Sequence, residues 1–173
     1  MDRYRAILRV SLLKDNTTAE AQNVVAGYAA AGMAAGRMKP QTFCKVVACA
    51  DLGTPNAPIV AALLDKVKAG GDPDKTKYTE EFLDCVHSFR VFRGLDAHRD
   101  GTKRENARAA ALTQSCILGF LLAGLALDLL TMGQMAQIYD VATCADSKLE
   151  DAEKLLKEAL EMQPKEGPNE QPD

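Results

Sequence analysis

Asp84, Cys85 and His87 form the densest run of side chains able to do chemistry in this chain. Asp84 and His87 stand three apart and so share one face of a helix. Cys85 lies about 100° round the same helix, so the imidazole does not reach the sulfur as a Cys–His nucleophile requires. A thiol nucleophile would need a distant cysteine brought to His87 or His98 by the fold. No G-x-S-x-G, Walker loop, dinucleotide-binding glycine pattern or H-E-x-x-H occurs. The residues favour a non-catalytic protein, with an enzyme as the least favoured class.

Five cysteines, Cys44, Cys49, Cys85, Cys116 and Cys144, are spread through apolar stretches with no Cys-x-x-Cys pair and only two histidines. They are expected to be buried free thiols in a reducing cytoplasm, with no metal and no cofactor. Asp96-Ala97-His98-Arg99-Asp100-Gly101 resembles the opening of a calcium loop. His98 replaces an oxygen ligand there, and Ala107 stands where the closing bidentate Glu belongs, so a polar turn between helices is expected instead.

The basic residues gather more tellingly. Arg90, Arg93, Arg99, Lys103, Arg104 and Arg108 stand against Asp96, Asp100 and Glu105, which leaves this segment at net +3. Arg104 and Arg108 share a helix face, and the helix start adds backbone N–H donors. These six are the candidate partner- or anion-binding residues, facing an acidic protein or a phosphate backbone. No aromatic residues interleave with them to stack bases. From Asp146 onward the chain carries nine acidic and four basic residues, net −5, a pattern ordinary for a charged helix face. The whole chain, at −3, has no general attraction to nucleic acid or an anionic membrane.

The elements that must hold these residues read as helices throughout. Ala is abundant, aromatics are few and Trp is absent, which suits closely packed helices built on Leu, Val, Ala and Met. Apolar periodicity predicts a helix over Arg3–Lys14, with a strand as the weaker alternative because part of the stretch also alternates. A capping box at Thr17–Glu20 opens a second helix reaching about Met38, where Gly32 and Gly36, four apart, would admit another helix closely. Pro40 starts a short helix over Gln41–Leu52 with Phe43, Val46, Val47 and Ala50 inward. Thr54-Pro55 starts the next, to about Ala69, with Ile59, Val60, Leu63, Leu64 and Val67 inward. After the loop Gly70–Asp74, Thr79 is expected to cap a helix striped with Phe82, Val86, Phe89 and Phe92. Thr102-x-x-Glu105 is a second capping box. Ala109–Leu127 carries no charge and is long enough for a membrane span, but its polar Thr113, Gln114 and Ser115 favour a buried central helix. Gly133 marks a break before a final pair, Met135–Cys144 and Leu149–Met162.

That last pair resembles, over residues 134–164, a single tetratricopeptide repeat. The family places small residues where Ala152 and Ala159 stand, a bulky one at Leu156, and a proline at the end, as Pro164 does. The first helix departs from the pattern at Asp140 and Thr143, and no second copy occurs 34 residues upstream. The resemblance implies a peptide-binding or assembly role.

The expectation is thus an all-α compact bundle of about seven or eight helices over residues 1–163, followed by a disordered acidic tail, 164–173. Its expected function is a soluble, cytoplasmic protein–protein interaction module, an adaptor, assembly chaperone or inhibitor. The expected partner is another protein, with a homodimer among the options and no membrane. The alternative is a nucleic-acid-associated helical protein using the basic bend 90–108.

Overall fold

Gly27 and Gly119 decide how the centre of this protein is built. The computed structural model describes residues 18–51, 57–68, 71–96 and 102–162, and among these it has seven α-helices and no strand. They are α1 (Thr18–Ala34), α2 (Pro40–Asp51), α3 (Ala57–Asp65, continued by a 3₁₀ turn over Lys66–Lys68), α4 (Lys75–Phe92), α5 (Lys103–Ala126), α6 (Met132–Thr143) and α7 (Leu149–Glu161). The helix over 3–14, the Thr17 cap, the Thr54-Pro55 start, the calcium-like turn after Asp96 and the tail lie outside the described residues.

The most extensive contact joins α1 to α5. A Cβ on Gly27 would lie 2.3 Å from the Cys116 carbonyl oxygen, and one on Gly119 would lie 2.1 Å from that of Val24. The two backbones therefore meet with no side chain between them. The Gly32–Gly36 pair does not serve this contact. Gly32 faces the Val67 side chain, and Gly36, at φ 73°, ends the helix. Gly36 and Arg37 donate to the Met33 and Gly32 carbonyls at 3.0 and 2.8 Å, closing a left-handed cap that only glycine enters without strain. Hence α1 stops at Ala34, four residues short of the sequence expectation.

Helix α4 starts earlier than expected. Asp74, not Thr79, is its N-cap and accepts from the Lys77 N–H at 2.9 Å. The earlier start brings Tyr78 onto the buried stripe with Phe82, Val86 and Phe89. Thr79 instead turns its hydroxyl to the Lys75 carbonyl, 2.8 Å away. The Tyr78 and Phe82 rings meet Phe120 of α5 with centroids 6.0 and 6.2 Å apart. Tyr78 donates its hydroxyl proton to the Phe120 carbonyl at 2.6 Å, and burial raises its pKa far above the ordinary phenol value. Tyr78→Phe should cost about 1 kcal/mol in urea unfolding, the usual worth of one buried neutral hydrogen bond. An unchanged midpoint would mean that the bond contributes nothing.

Helix α5 begins with the expected capping box. Glu105 N–H donates to Thr102 Oγ1 at 3.2 Å, and Thr102 N–H donates to Glu105 Oε2 at 2.9 Å. The buried run expected over Ala109–Leu127 holds only for the C-terminal half, from Ile117 onward; between Ala109 and Cys116 only Ala110 is buried. Among the described residues α5 is long and apolar enough to cross a membrane, and 44 % of its most apolar window is buried inside the fold. Helices α1, α4 and α6 all pack against it.

The break after α5 falls at Asp128 (φ 57°), not at Gly133. Thr131 and Gln134 form a third capping box, which puts Gly133 inside α6. On α3 the buried residues Val60 and Leu64 continue to Val67 of the 3₁₀ turn at helical spacing, which leaves Ile59 on the outside at 52 % exposure rather than in the core. Helix α7 packs on α4 and α6 through Ala152, Leu156, Ala159 and Leu160.

Candidate partner-binding surface

The fold splits the basic cluster. Arg90 is only 4 % exposed, on the last turn of α4. Its Nε donates to Asp96 Oδ2 at 2.7 Å and its Nη1 to the Cys144 carbonyl at 3.4 Å. It ties the end of α4 to the following bend and to the end of α6, and no part of it is offered to a partner. Arg93 is exposed at the C-cap of α4. Lys103, Arg104 and Arg108 are exposed on the first two turns of α5, and Arg99 lies outside the described residues. The surface part of the cluster is therefore Arg93 together with this α5 patch.

The start of α5 is also less open to an anion than its sequence implied. The Glu105 carboxylate already accepts from the Thr102 backbone N–H and hydroxyl, and these bonds lower its pKa. A carboxyl whose folded pKa is lowered stabilises the fold above its unfolded value, and that contribution is lost as the pH falls through the folded one. An incoming phosphate would meet this fixed negative charge first.

A concave surface lies elsewhere, between α4 and α7. Lys75, Thr76, Thr79, Glu80 and Leu83 form one wall, and Glu153, Lys157, Leu160 and Glu161 the other, around a volume of about 640 Å³. Leu83 and Leu160 supply its apolar backing. Lys75 Nζ donates to the Leu160 carbonyl at 3.1 Å and Lys157 pairs with Glu153, so the rim is held in place by its own contacts. Sequence reading pointed to the last hairpin as a contact region but missed this groove, because residues 75–83 and 153–161 become neighbours only when α7 folds back on α4.

The Asp84–Cys85–His87 run does not form a catalytic unit. Asp84 and His87 are both exposed, while Cys85 turns to α5 and its thiol donates to the Thr113 carbonyl at 3.7 Å. His98 lies outside the described residues. Among the described residues no group of three or more His, Cys, Asp or Glu side chains could hold a metal. The thiols are not the fully buried set expected: Cys44 and Cys144 are exposed, and Cys49, Cys85 and Cys116 are half-buried. Their helices have narrow core stripes, and these positions fall beside the stripes.

No protein-family model matches the chain, no curated protein matches it, and no solved structure matches it.

Proposed function

We propose that this chain is a non-catalytic protein–protein interaction module that receives a segment of another protein in the groove between α4 and α7. The groove itself is the observation that carries the reading. Its volume of about 640 Å³ lies within the usual range for binding clefts. Leu83 and Leu160 offer an apolar seat for one or two partner side chains, and Lys75, Glu80, Lys157 and Glu161 offer a polar rim of both signs. The resemblance of residues 134–164 to a single tetratricopeptide repeat, which implies a peptide-binding or assembly role, is in keeping with the same reading. Whether the module acts as adaptor, assembly chaperone or inhibitor follows from the partner it holds.

The test is affinity capture from the native host with the full chain and two sets of variants. Thr76→Trp with Lys157→Glu fills the groove and reverses a rim charge at exposed positions. Arg104→Glu with Arg108→Glu reverses the α5 patch. A stoichiometric protein recovered by the parent and the α5-patch variant, and lost from the groove variant, is the expected result. Equal recovery by all three, or a clean monomer, would overturn the proposal. Recovery of nucleic acid instead, weakening steeply with salt and abolished by the α5 reversals, would move the function to the basic face.

A further inference from the structure

Cys85 on α4 and Cys116 on α5 are separated by 31 positions in sequence, yet their thiols lie close enough for each to shift the other's ionisation. Independent contacts place both on one seam. Cys85 Sγ lies 3.7 Å from the Thr113 carbonyl, one turn before Cys116, and Cys116 Sγ lies 3.4 Å from Asn23 Oδ1 on α1. Asn23 donates from Nδ2 to the Ala19 carbonyl at 2.7 Å, which fixes its amide with the oxygen toward Cys116. Behind Cys116 the α5 backbone is held by the close approach of Gly27. Three helices therefore bring the two thiols to one seam, both half-buried and so open to small molecules.

We propose that Cys85 and Cys116 are a redox-active dithiol that a peroxide-class oxidant converts to a disulfide linking α4 to α5. Cys116 ionises first of the two, because the neighbouring Cys85 thiol holds its pKa below the ordinary thiol value. Cys85 is raised by the same contact and by burial. The Cys116 thiolate attacks one oxygen of hydrogen peroxide, and the O–O bond breaks. Cys116 becomes a sulfenic acid, and the departing hydroxide takes up the thiol proton as water. Cys85 sulfur then displaces the sulfenic oxygen. The S–S bond forms, and the leaving hydroxide takes the Cys85 proton as a second water. The two thiols lose two electrons and two protons, which the peroxide receives, and a dithiol reductant reverses the change.

Cys44 and Cys144 are exposed and would consume oxidant too; hydrogen bonds at the Asp146 and Ser147 end of the α6–α7 turn lower the pKa of Cys144. The test therefore uses the full chain with Cys44→Ser, Cys49→Ser and Cys144→Ser, titrated with hydrogen peroxide. The expected result is loss of two hydrogens in intact mass and disappearance of both maleimide-reactive thiols. A non-reducing digest should join the Cys85 peptide to the Cys116 peptide. Closing a loop of this length should raise the unfolding midpoint by roughly 5–15 °C, reversed by dithiothreitol. Adding Cys85→Ser should stop the reaction at a sulfenic acid on Cys116, trapped by dimedone. Oxygen addition to either sulfur without the cross-link, or a disulfide formed only between molecules, would overturn the proposal. The parent chain, digested with trypsin and chymotrypsin to separate Cys116 from Cys144, decides the matter if the triple variant fails to fold.

Discussion

Gly119→Ala is expected to destabilise the protein by about 3 kcal/mol or more, although it adds a single methyl group. The new Cβ would sit 2.1 Å from the Val24 carbonyl oxygen, 2.7 Å from the Tyr28 nitrogen and 3.0 Å from the Gly27 carbonyl carbon. All three atoms are backbone, so no rotamer change relieves the clash, and α1 and α5 must move apart. That movement loosens the packing of Val25, Tyr28, Ile117 and Leu121, all fully buried. The intrinsic preference of a helix for Ala over Gly, about 1 kcal/mol, works in the opposite direction and is too small to win. Gly133→Ala is the matched control. A Cβ there meets nothing within 4 Å, so the same change should be neutral or mildly stabilising. Urea unfolding of the two variants checks the pair. Equal midpoints would mean that the α1–α5 approach is not as close as described.

Arg90→Met should cost about 2–3 kcal/mol, because it keeps the apolar stem and deletes the charged head. The loss is the 2.7 Å bond to Asp96 and the 3.4 Å bond to the Cys144 carbonyl. The figure sits below that for a fully buried pair because the Asp96 side chain keeps 27 % exposure and can recover water. Asp96→Asn alone should cost less than Arg90→Met, and the double variant less than the sum, since both singles remove one shared bond. Additive losses would show that the pair does not couple. Burial of Arg90 also makes this effect insensitive to salt, unlike any contribution from Arg104 or Arg108.

The contrast between Arg90 and Arg104 shows where sequence reading stops. Both belong to one run of basic residues, and spacing gives no reason to separate them. Arg90 is one turn past Val86 and next to Phe89 on a buried stripe, a position where an arginine must find a partner inside the fold. Its partners lie 6 residues away at Asp96 and 54 residues away at Cys144, and the second is a backbone carbonyl that composition does not reveal. Helix ends were more legible when the cap was local. Thr102–Glu105 acts as expected, whereas Asp74 displaced Thr79 because a start one turn earlier buries Tyr78.

By itself the sequence determined that the described residues are helical, and it set those helix ends, such as Thr102–Glu105, whose caps are local. Helical periodicity, capping boxes and terminal glycines act over a few residues, so their outcome can be read locally. Only the tertiary structure decided which glycines meet, which arginine is buried, which wall faces α7, and that Cys85 finds Cys116 rather than a histidine. Each of these depends on contact between segments tens of residues apart. Such contacts are set by how buried stripes pack against one another, and no single stripe specifies its neighbour. The run at Asp84–His87, the densest chemistry in the sequence, is for this reason divided by the fold. Its acid and base face outward, and its thiol joins a partner from another helix.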